Sequence, residues 1–109
     1  MTAILDLGQT RIVHDVSIGC LLRQESLIFT PLRMRVAVSL DGITWKEVFD
    51  ESHPLKQSDD VLAKDILAHL QPEVARYIRV IAANPGKCPP WHVGAGSNAW
   101  IFIDEIVVR

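Results

Sequence analysis

Two carboxylate pairs and one tryptophan-histidine pair are the groups in this 109-residue chain that could do chemistry. The pairs Asp59-Asp60 and Asp104-Glu105 are each adjacent in sequence. Neighbouring residues on a strand point to opposite faces, so Asp104 and Glu105 cannot jointly flank a glycosidic bond. The chain also lacks a Gly-x-Ser-x-Gly motif and a phosphate-binding glycine loop, and we therefore predict no catalytic residue.

Trp91 and His92 are the strongest candidates for contact with a ligand, and both follow Pro90 in a loop segment. A tryptophan face can pack against the C–H face of a sugar while polar neighbours bind its hydroxyl groups. In the alternative interpretation, Trp91 folds back over the end of the fold and His92 pins the loop through backbone contacts. Further hydrogen-bond partners for a neutral, hydroxyl-rich ligand are predicted at Arg23, Gln24, Asn84 and Asn98.

The histidines and cysteines do not predict a metal site. His14, His53 and His69 are scattered, and no His-x-x-x-His pair occurs. Cys20 and Cys88 are too few for a four-thiolate zinc site. Both cysteines are expected near the same end of the fold, which leaves a disulfide as the alternative to two free thiols.

Length and composition restrict the chain to one globular domain. Apolar residues make up 49% of the sequence and charged residues 22%, which is ordinary for a folded domain. Eleven basic against thirteen acidic residues give a formal net charge of −2. This balance removes the basic footprint of a nucleic-acid binder, and no apolar run approaches the roughly 20 residues of a membrane span.

The alternation of apolar and polar residues with a period of two predicts an antiparallel, all-β fold. Ser58–Leu70 also has apolar residues at helical spacing, so a helix is the alternative to a strand there. The last run is apolar on both faces and predicts a strand covered on both sides, with Trp45 and Trp100 in the core. The predicted strands are Ala3–Leu7, Ile12–Leu21, Arg33–Leu40, Thr44–Phe49, Ala63–Leu70, Ala75–Ala83 and Ala99–Arg109.

Short and long connections alternate along the chain. The short ones are predicted at Gly8–Arg11, Asp41–Ile43 and Gln71–Val74, and the long ones at Leu22–Leu32, Asp50–Leu62 and Asn84–Asn98. If consecutive strands are antiparallel, all three long loops lie at one end. Loops clustered at one end of a rigid β scaffold are where such folds place binding sites.

Four segments in a fixed order resemble a known family. They are Asp6-Leu7-Gly8, Ser39-Leu40-Asp41-Gly42-Ile43-Thr44-Trp45, Ala75-Arg76-Tyr77-Ile78-Arg79-Val80 and Asp104-Glu105-Ile106-Val107-Val108. The pattern resembles the discoidin, or coagulation-factor five/eight type C, domain. This resemblance implies a jelly-roll β-sandwich of the galactose-binding-domain-like type over residues 1–109.

The third long loop carries a sharper resemblance. Gly86–Gly96, followed by Ala99–Ile106, is similar to the C-terminal domain of chitobiase-like β-N-acetylhexosaminidases, bacterial family twenty glycoside hydrolases. The resemblance implies a non-catalytic accessory module that binds N-acetylhexosamine- or galactose-containing glycans weakly. It also implies a partner catalytic domain and a periplasmic or cell-surface location. We predict no cofactor, although the resemblance allows a structural calcium ion, whose ligands the sequence does not identify.

The chain begins just before its Asp6-Leu7-Gly8 motif, whereas family members begin a strand or more earlier. It therefore resembles either a piece of a larger protein without the family's first strand region or a shortened relative, and its lack of a signal peptide does not indicate its location. A docking module that packs against the catalytic domain is the alternative function. The apolar loop residues Leu27, Ile28 and Phe29 favour docking, because sugar-binding loops need few aliphatic side chains.

Overall fold

The structure, a computed structural model, describes residues 1–109 and is all-β, with a single 3-10 turn at Gln24–Ser26. Its strands are antiparallel and form one sheet in the order β3-β2-β4-β1-β5. Their bounds are β1 Thr2–Arg23, β2 Arg33–Ser39, β3 Lys46–Ser52, β4 Val61–Ala83 and β5 Ile103–Val108. No helix in the structure has the length and apolar character needed to cross a membrane.

The two long strands bend and fold the sheet onto itself. The 22 residues of β1 would span roughly 70 Å if straight, whereas the molecule is 47 Å long. Residues 2–6 of β1 pair with the second half of β4, which also pairs with β2. Residues 15–23 pair with the first half of β4 and with β5. The two halves form the layers of the predicted jelly-roll sandwich.

One core of 14 buried residues fills the space between the layers, and it draws on β1, β2 and both halves of β4. The predicted inward positions Val16, Ile18 and Cys20 are buried as expected. The pairing register shifts between Val13 and Asp15, so the inward-facing side chains change from odd-numbered to even-numbered positions there. Val13 is therefore buried and Ile12 is 61% exposed, contrary to the alternation expected for that run.

Two of the predicted turns lie inside continuous strands. At Gly8–Arg11 the pairing moves from Asp6 to Arg11 on β1 while β4 advances only from Tyr77 to Ala75. The extra residues bulge, and Gly8 has a φ of +81°, which favours glycine. Gln71–Val74 likewise belongs to β4, because Glu73 and Val74 keep partners on β1.

The hairpin turn predicted at Asp41–Ile43 is confirmed between β2 and β3. The segment Ser58–Leu70, for which the sequence allowed a strand or a helix, is strand from Val61 onward.

The C-terminal run differs from its prediction. Only Ile103–Val108 is strand, and this strand lies at the sheet edge with β1 as its single neighbour. Trp100 is 58% exposed and Phe102 is 53% exposed, so the prediction of a core Trp100 and a doubly covered strand is wrong. Trp45 is half-buried, and its ring lies 4.7 Å from the Arg79 guanidinium.

Cys20 and Cys88 are both free and buried, and they belong to different apolar clusters. The disulfide alternative is therefore not formed. Burial raises the pKa of the Cys20 thiol, which lowers its thiolate fraction and its reactivity.

Two ion pairs connect neighbouring strands at the surface. The Arg76 side chain donates to the Asp6 carboxylate at the β1 bulge, and this hydrogen bond lowers the pKa of Asp6. Arg33 on β2 donates to Asp50 on β3, with Nε 2.6 Å from Oδ1, and it likewise lowers the pKa of Asp50. Both carboxylates are therefore better acceptors of protons in the unfolded chain than in the folded one.

Acid is expected to destabilise the domain through these two aspartates and through Asp41. The backbone N–H groups of Thr44 and Ile43 donate to Asp41 at 2.8 Å each and lower its pKa. The stability from the three carboxylates is complete above an unfolded-state pKa of about 4 and is lost as pH falls through their lower folded values. Urea unfolding between about pH 5 and about pH 2 should therefore show a falling free energy of unfolding. Asp41→Asn should show a smaller fall, and an equal fall would contradict the assigned role of Asp41.

Candidate functional site

The three long loops meet at one end of the sandwich, as the alternation of connections predicts. Gln24, in the turn after β1, is 6% exposed and joins two of them. Its Nε2 donates to the Lys56 carbonyl oxygen at 2.7 Å, and its Oε1 accepts from the Ser58 N–H at 3.0 Å. The amide side chain is thus committed to the second loop, which it holds against the end of β1.

His92 connects the third loop to the same point. Its Nδ1 accepts from the Gly94 N–H at 2.9 Å, so its Nε2 carries the proton and donates to the Gln24 carbonyl oxygen at 2.7 Å. Both ring nitrogens therefore have partners within the protein. This is the arrangement of the alternative in which His92 pins the loop through backbone contacts.

Trp91 is anchored along one edge and remains 38% exposed. Its ring packs edge-to-face on the fully buried Phe29, with centroids 6.4 Å apart, and on His92 at 6.2 Å. Phe29 in turn packs with Cys88 and Ala99 in a second, smaller apolar cluster beneath the loops. Trp91 therefore packs against the domain and also presents aromatic surface to solvent, which combines the two alternatives that the sequence left open.

A cavity of about 360 Å³ opens beside Trp91, within the size range of small-molecule sites. All three long loops contribute to its walls. The lining residues are Gln24, Glu25, Gln57, Ser58, Asp59, Asp60, Val61, Trp91, His92 and Val93. Polar side chains and backbone beside one exposed tryptophan can hold a hydroxyl-rich ring by stacking and hydrogen bonds.

Of the six predicted site residues, the cavity brings together Gln24, Trp91 and His92. Arg23 lies outside it and pairs with Glu25, Nε to Oε1 at 3.2 Å. Asn84 and Asn98 also lie outside it. Asn84 accepts from the Gly86 N–H, and Asn98 accepts from Lys87 Nζ, each at 2.8 Å.

The part of the cavity lining formed by Gln57–Asp60 was not predicted as a binding surface from the sequence. The alternation of connections predicts the second long loop at the correct end, and the sequence marks Asp59-Asp60 as a carboxylate pair, but only for catalysis and not as a ligand contact. The signal was present as four consecutive polar residues, Gln-Ser-Asp-Asp, immediately before a strand.

The loop residues that favoured a docking role are largely used inside the domain. Phe29 is fully buried, and Leu27 and Ile28 are half-buried. Leu27 packs against the smaller apolar cluster, and the backbone of Ile28 forms a β-bridge with that of Trp100. The Phe29 and Leu27 side chains therefore pack within the domain and do not indicate an unpartnered docking surface.

The structure groups no three His, Cys, Asp or Glu side chains in a metal-binding arrangement. It therefore names no ligands for the calcium ion that the resemblance allows.

Solved structures share this architecture over nearly the whole chain. The Clostridium perfringens domain CpGH89CBM32-5, in complex with GalNAc-beta-1,3-galactose, superposes with a TM-score of 0.60 at 16% identity, covering 98% of this chain and 63% of that one. The C-terminal domain of a chitobiase from Bacteroides fragilis superposes with a TM-score of 0.55 at 22% identity, covering 99% of this chain and 61% of that one. This chain has their fold.

CBM32-1 from a family 31 glycoside hydrolase of Clostridium perfringens gives a TM-score of 0.51 at 19% identity, over 76% of this chain and 58% of that one. The chain thus spans about three fifths of the length of these solved chains. No protein-family model and no curated protein sequence matches it. The galactose-binding-like sandwich expected from the sequence motifs is confirmed as the fold.

Proposed function

We propose that this chain is a non-catalytic carbohydrate-binding module and that the cavity beside Trp91 holds the sugar. The observation that carries the proposal is a part-exposed tryptophan at the meeting point of three long loops, beside a cavity of about 360 Å³ lined mainly by polar residues. The same fold occurs in a domain solved with GalNAc-beta-1,3-galactose, which supports a glycan as ligand.

Within this proposal Trp91 supplies the stacking surface, while Gln24 and His92 position it. The side chains of Gln24 and His92 already form hydrogen bonds within the protein. The sugar hydroxyl groups would therefore form hydrogen bonds with the polar side chains of Glu25 and Gln57–Asp60. A site this open gives affinities from millimolar to micromolar, about −4 to −8 kcal/mol.

The module would serve an exported β-N-acetylhexosaminidase by holding its catalytic domain near glycan. The fold shared with the C-terminal domain of a Bacteroides fragilis chitobiase supports this context. The periplasmic or cell-surface location is part of the same proposal.

A two-dimensional amide NMR titration with N-acetylglucosamine, galactose and chito-oligosaccharides tests the binding function. We expect saturable shifts at residues 24–25, 57–61 and 91–93, with the hairpin turn at 41–43 unaffected as an internal control. A flat titration with every sugar would overturn the proposal. That result would favour the docking alternative, for which Trp100 and Phe102 provide exposed aromatic surface away from the cavity.

A further inference from the structure

The cavity beside Trp91 is negatively charged. Glu25, Asp59 and Asp60 contribute carboxylates to its lining, and no lysine or arginine does. Arg23 offsets the charge of Glu25 through their ion pair, whereas Asp59 and Asp60 form no ion pair. His92 adds no positive charge, because its Nδ1 accepts the Gly94 N–H and the ring is neutral.

Two lysines near the second loop line a neighbouring cavity. They are Lys56 and Lys64, and their cavity of about 410 Å³ shares Gln24, Ser58 and Asp60 with the first. That neighbouring cavity has no tryptophan, tyrosine or phenylalanine in its lining. Trp91 and Asp59 therefore line only the first cavity, Asp60 lines both, and the two lysines line only the second.

From this arrangement we infer that the cavity selects glycans with a free, protonated amino group, such as glucosamine oligomers, over N-acetylated and anionic sugars. The inference rests on the proposed function and names its ligand class. An ammonium group gains attraction from Asp59 and Asp60 and is also attracted to the face of Trp91, whereas a sugar carboxylate is repelled. The glucosamine and N-acetylglucosamine rings have the same configuration and present the same stacking face to Trp91, so charge decides their order of affinity.

Isothermal titration calorimetry tests the selection with a matched pair of trimers, glucosamine and N-acetylglucosamine, and with a galacturonic acid trimer as the anionic sugar. We expect the glucosamine trimer to bind about three- to tenfold more tightly than the N-acetylglucosamine trimer, since each exposed ion pair adds little. Raising the salt from about 0.01 M to about 1 M should remove this advantage by screening. The galacturonic acid trimer should show no saturable heat.

A pair of double variants assigns the effect to the cavity. Asp59→Asn with Asp60→Asn should reduce the preference for the glucosamine trimer to within about twofold. Because Asp59 and Asp60 are also proposed to bind sugar hydroxyl groups, the affinities of both amino-sugar trimers are compared with each other within this variant and not with those of the unmodified domain. Asp65→Asn with Glu105→Gln removes the same charge at exposed positions outside the cavity and should preserve the preference.

Equal affinities of the two amino-sugar trimers would overturn the charge selection and leave the proposed function standing. Saturable binding of none of the trimers would overturn the charge selection, whereas the proposed function would be overturned only if the amide titration, which includes galactose, were also flat. A preference lost equally in both double variants would show a net-charge effect of the whole chain and would overturn the assignment to this cavity.

Discussion

Replacing Trp91 with alanine is expected to weaken carbohydrate binding about tenfold to hundredfold while the domain stays folded. A buried aromatic contact in a binding site is worth about 1.5–3 kcal/mol when truncated, because stacking and the exclusion of water are lost together. Trp91 is 38% exposed and packs edge-to-face on Phe29 and His92. Its loss should therefore affect the free energy of unfolding less than it affects the affinity. The amide titration and urea unfolding measure the two effects separately.

Trp100→Ala is the matched control for this prediction. Trp100 is 58% exposed, belongs to the same long connection between β4 and β5, and lines no cavity. Its replacement should leave the affinity within about twofold. If Trp100→Ala weakened binding as much as Trp91→Ala does, the glycan would have to lie on the outer surface near β5.

The loop cluster could be predicted because it depends on a coarse feature of the sequence. Strand alternation and turn residues place chain reversals to within a few positions, and antiparallel order then determines which loops share an end. The predicted clustering of the loops is correct even though Gly8–Arg11 and Gln71–Val74 lie within strands and are not turns. The strands bend at these two segments, so the chain changes direction there as it would at a turn.

The errors arise where tertiary structure overrides local alternation. The register shift after Val13 places Ile12 on the outer face, and the residue types in this segment do not predict the shift. Trp100 was expected in the core because it stands in an apolar run. Trp100 instead lies before β5 and is 58% exposed, and the start of this strand and its place in the sheet depend on the order of strands.

The details of the site were beyond sequence reasoning for a related reason. Glutamine and histidine are residue types that commonly bind sugars. The side chains of Gln24 and His92 nevertheless form hydrogen bonds with the backbone of Lys56, Ser58 and Gly94. Polar side chains look the same in a sequence whether they bind a ligand or the backbone. Only the folded geometry distinguishes the two uses.

Phe29→Ala is expected to produce the largest loss of stability, about 3–5 kcal/mol, which is typical for removing a buried phenyl ring. Phe29 is fully buried, and its ring contacts those of Trp91 and His92, with centroids 6.4 Å and 5.4 Å away. Its deletion leaves a void beneath the loop cluster that the constrained third loop cannot fill. Urea unfolding should show the loss, and any folded fraction should bind sugar more weakly because Trp91 has lost its support.

Phe29→Leu separates packing from a general intolerance of change at this position. Leucine keeps most of the apolar volume, so its cost should be less than half that of alanine, and sugar binding should survive. Because Phe29 belongs to the smaller apolar cluster, the comparison measures how much that cluster contributes to stability. If Phe29→Ala cost less than about 1 kcal/mol, the loops would be held by hydrogen bonds of Gln24 and His92 alone. The smaller cluster would then have no role in presenting Trp91, and the site would depend on polar contacts that solvent and salt can weaken.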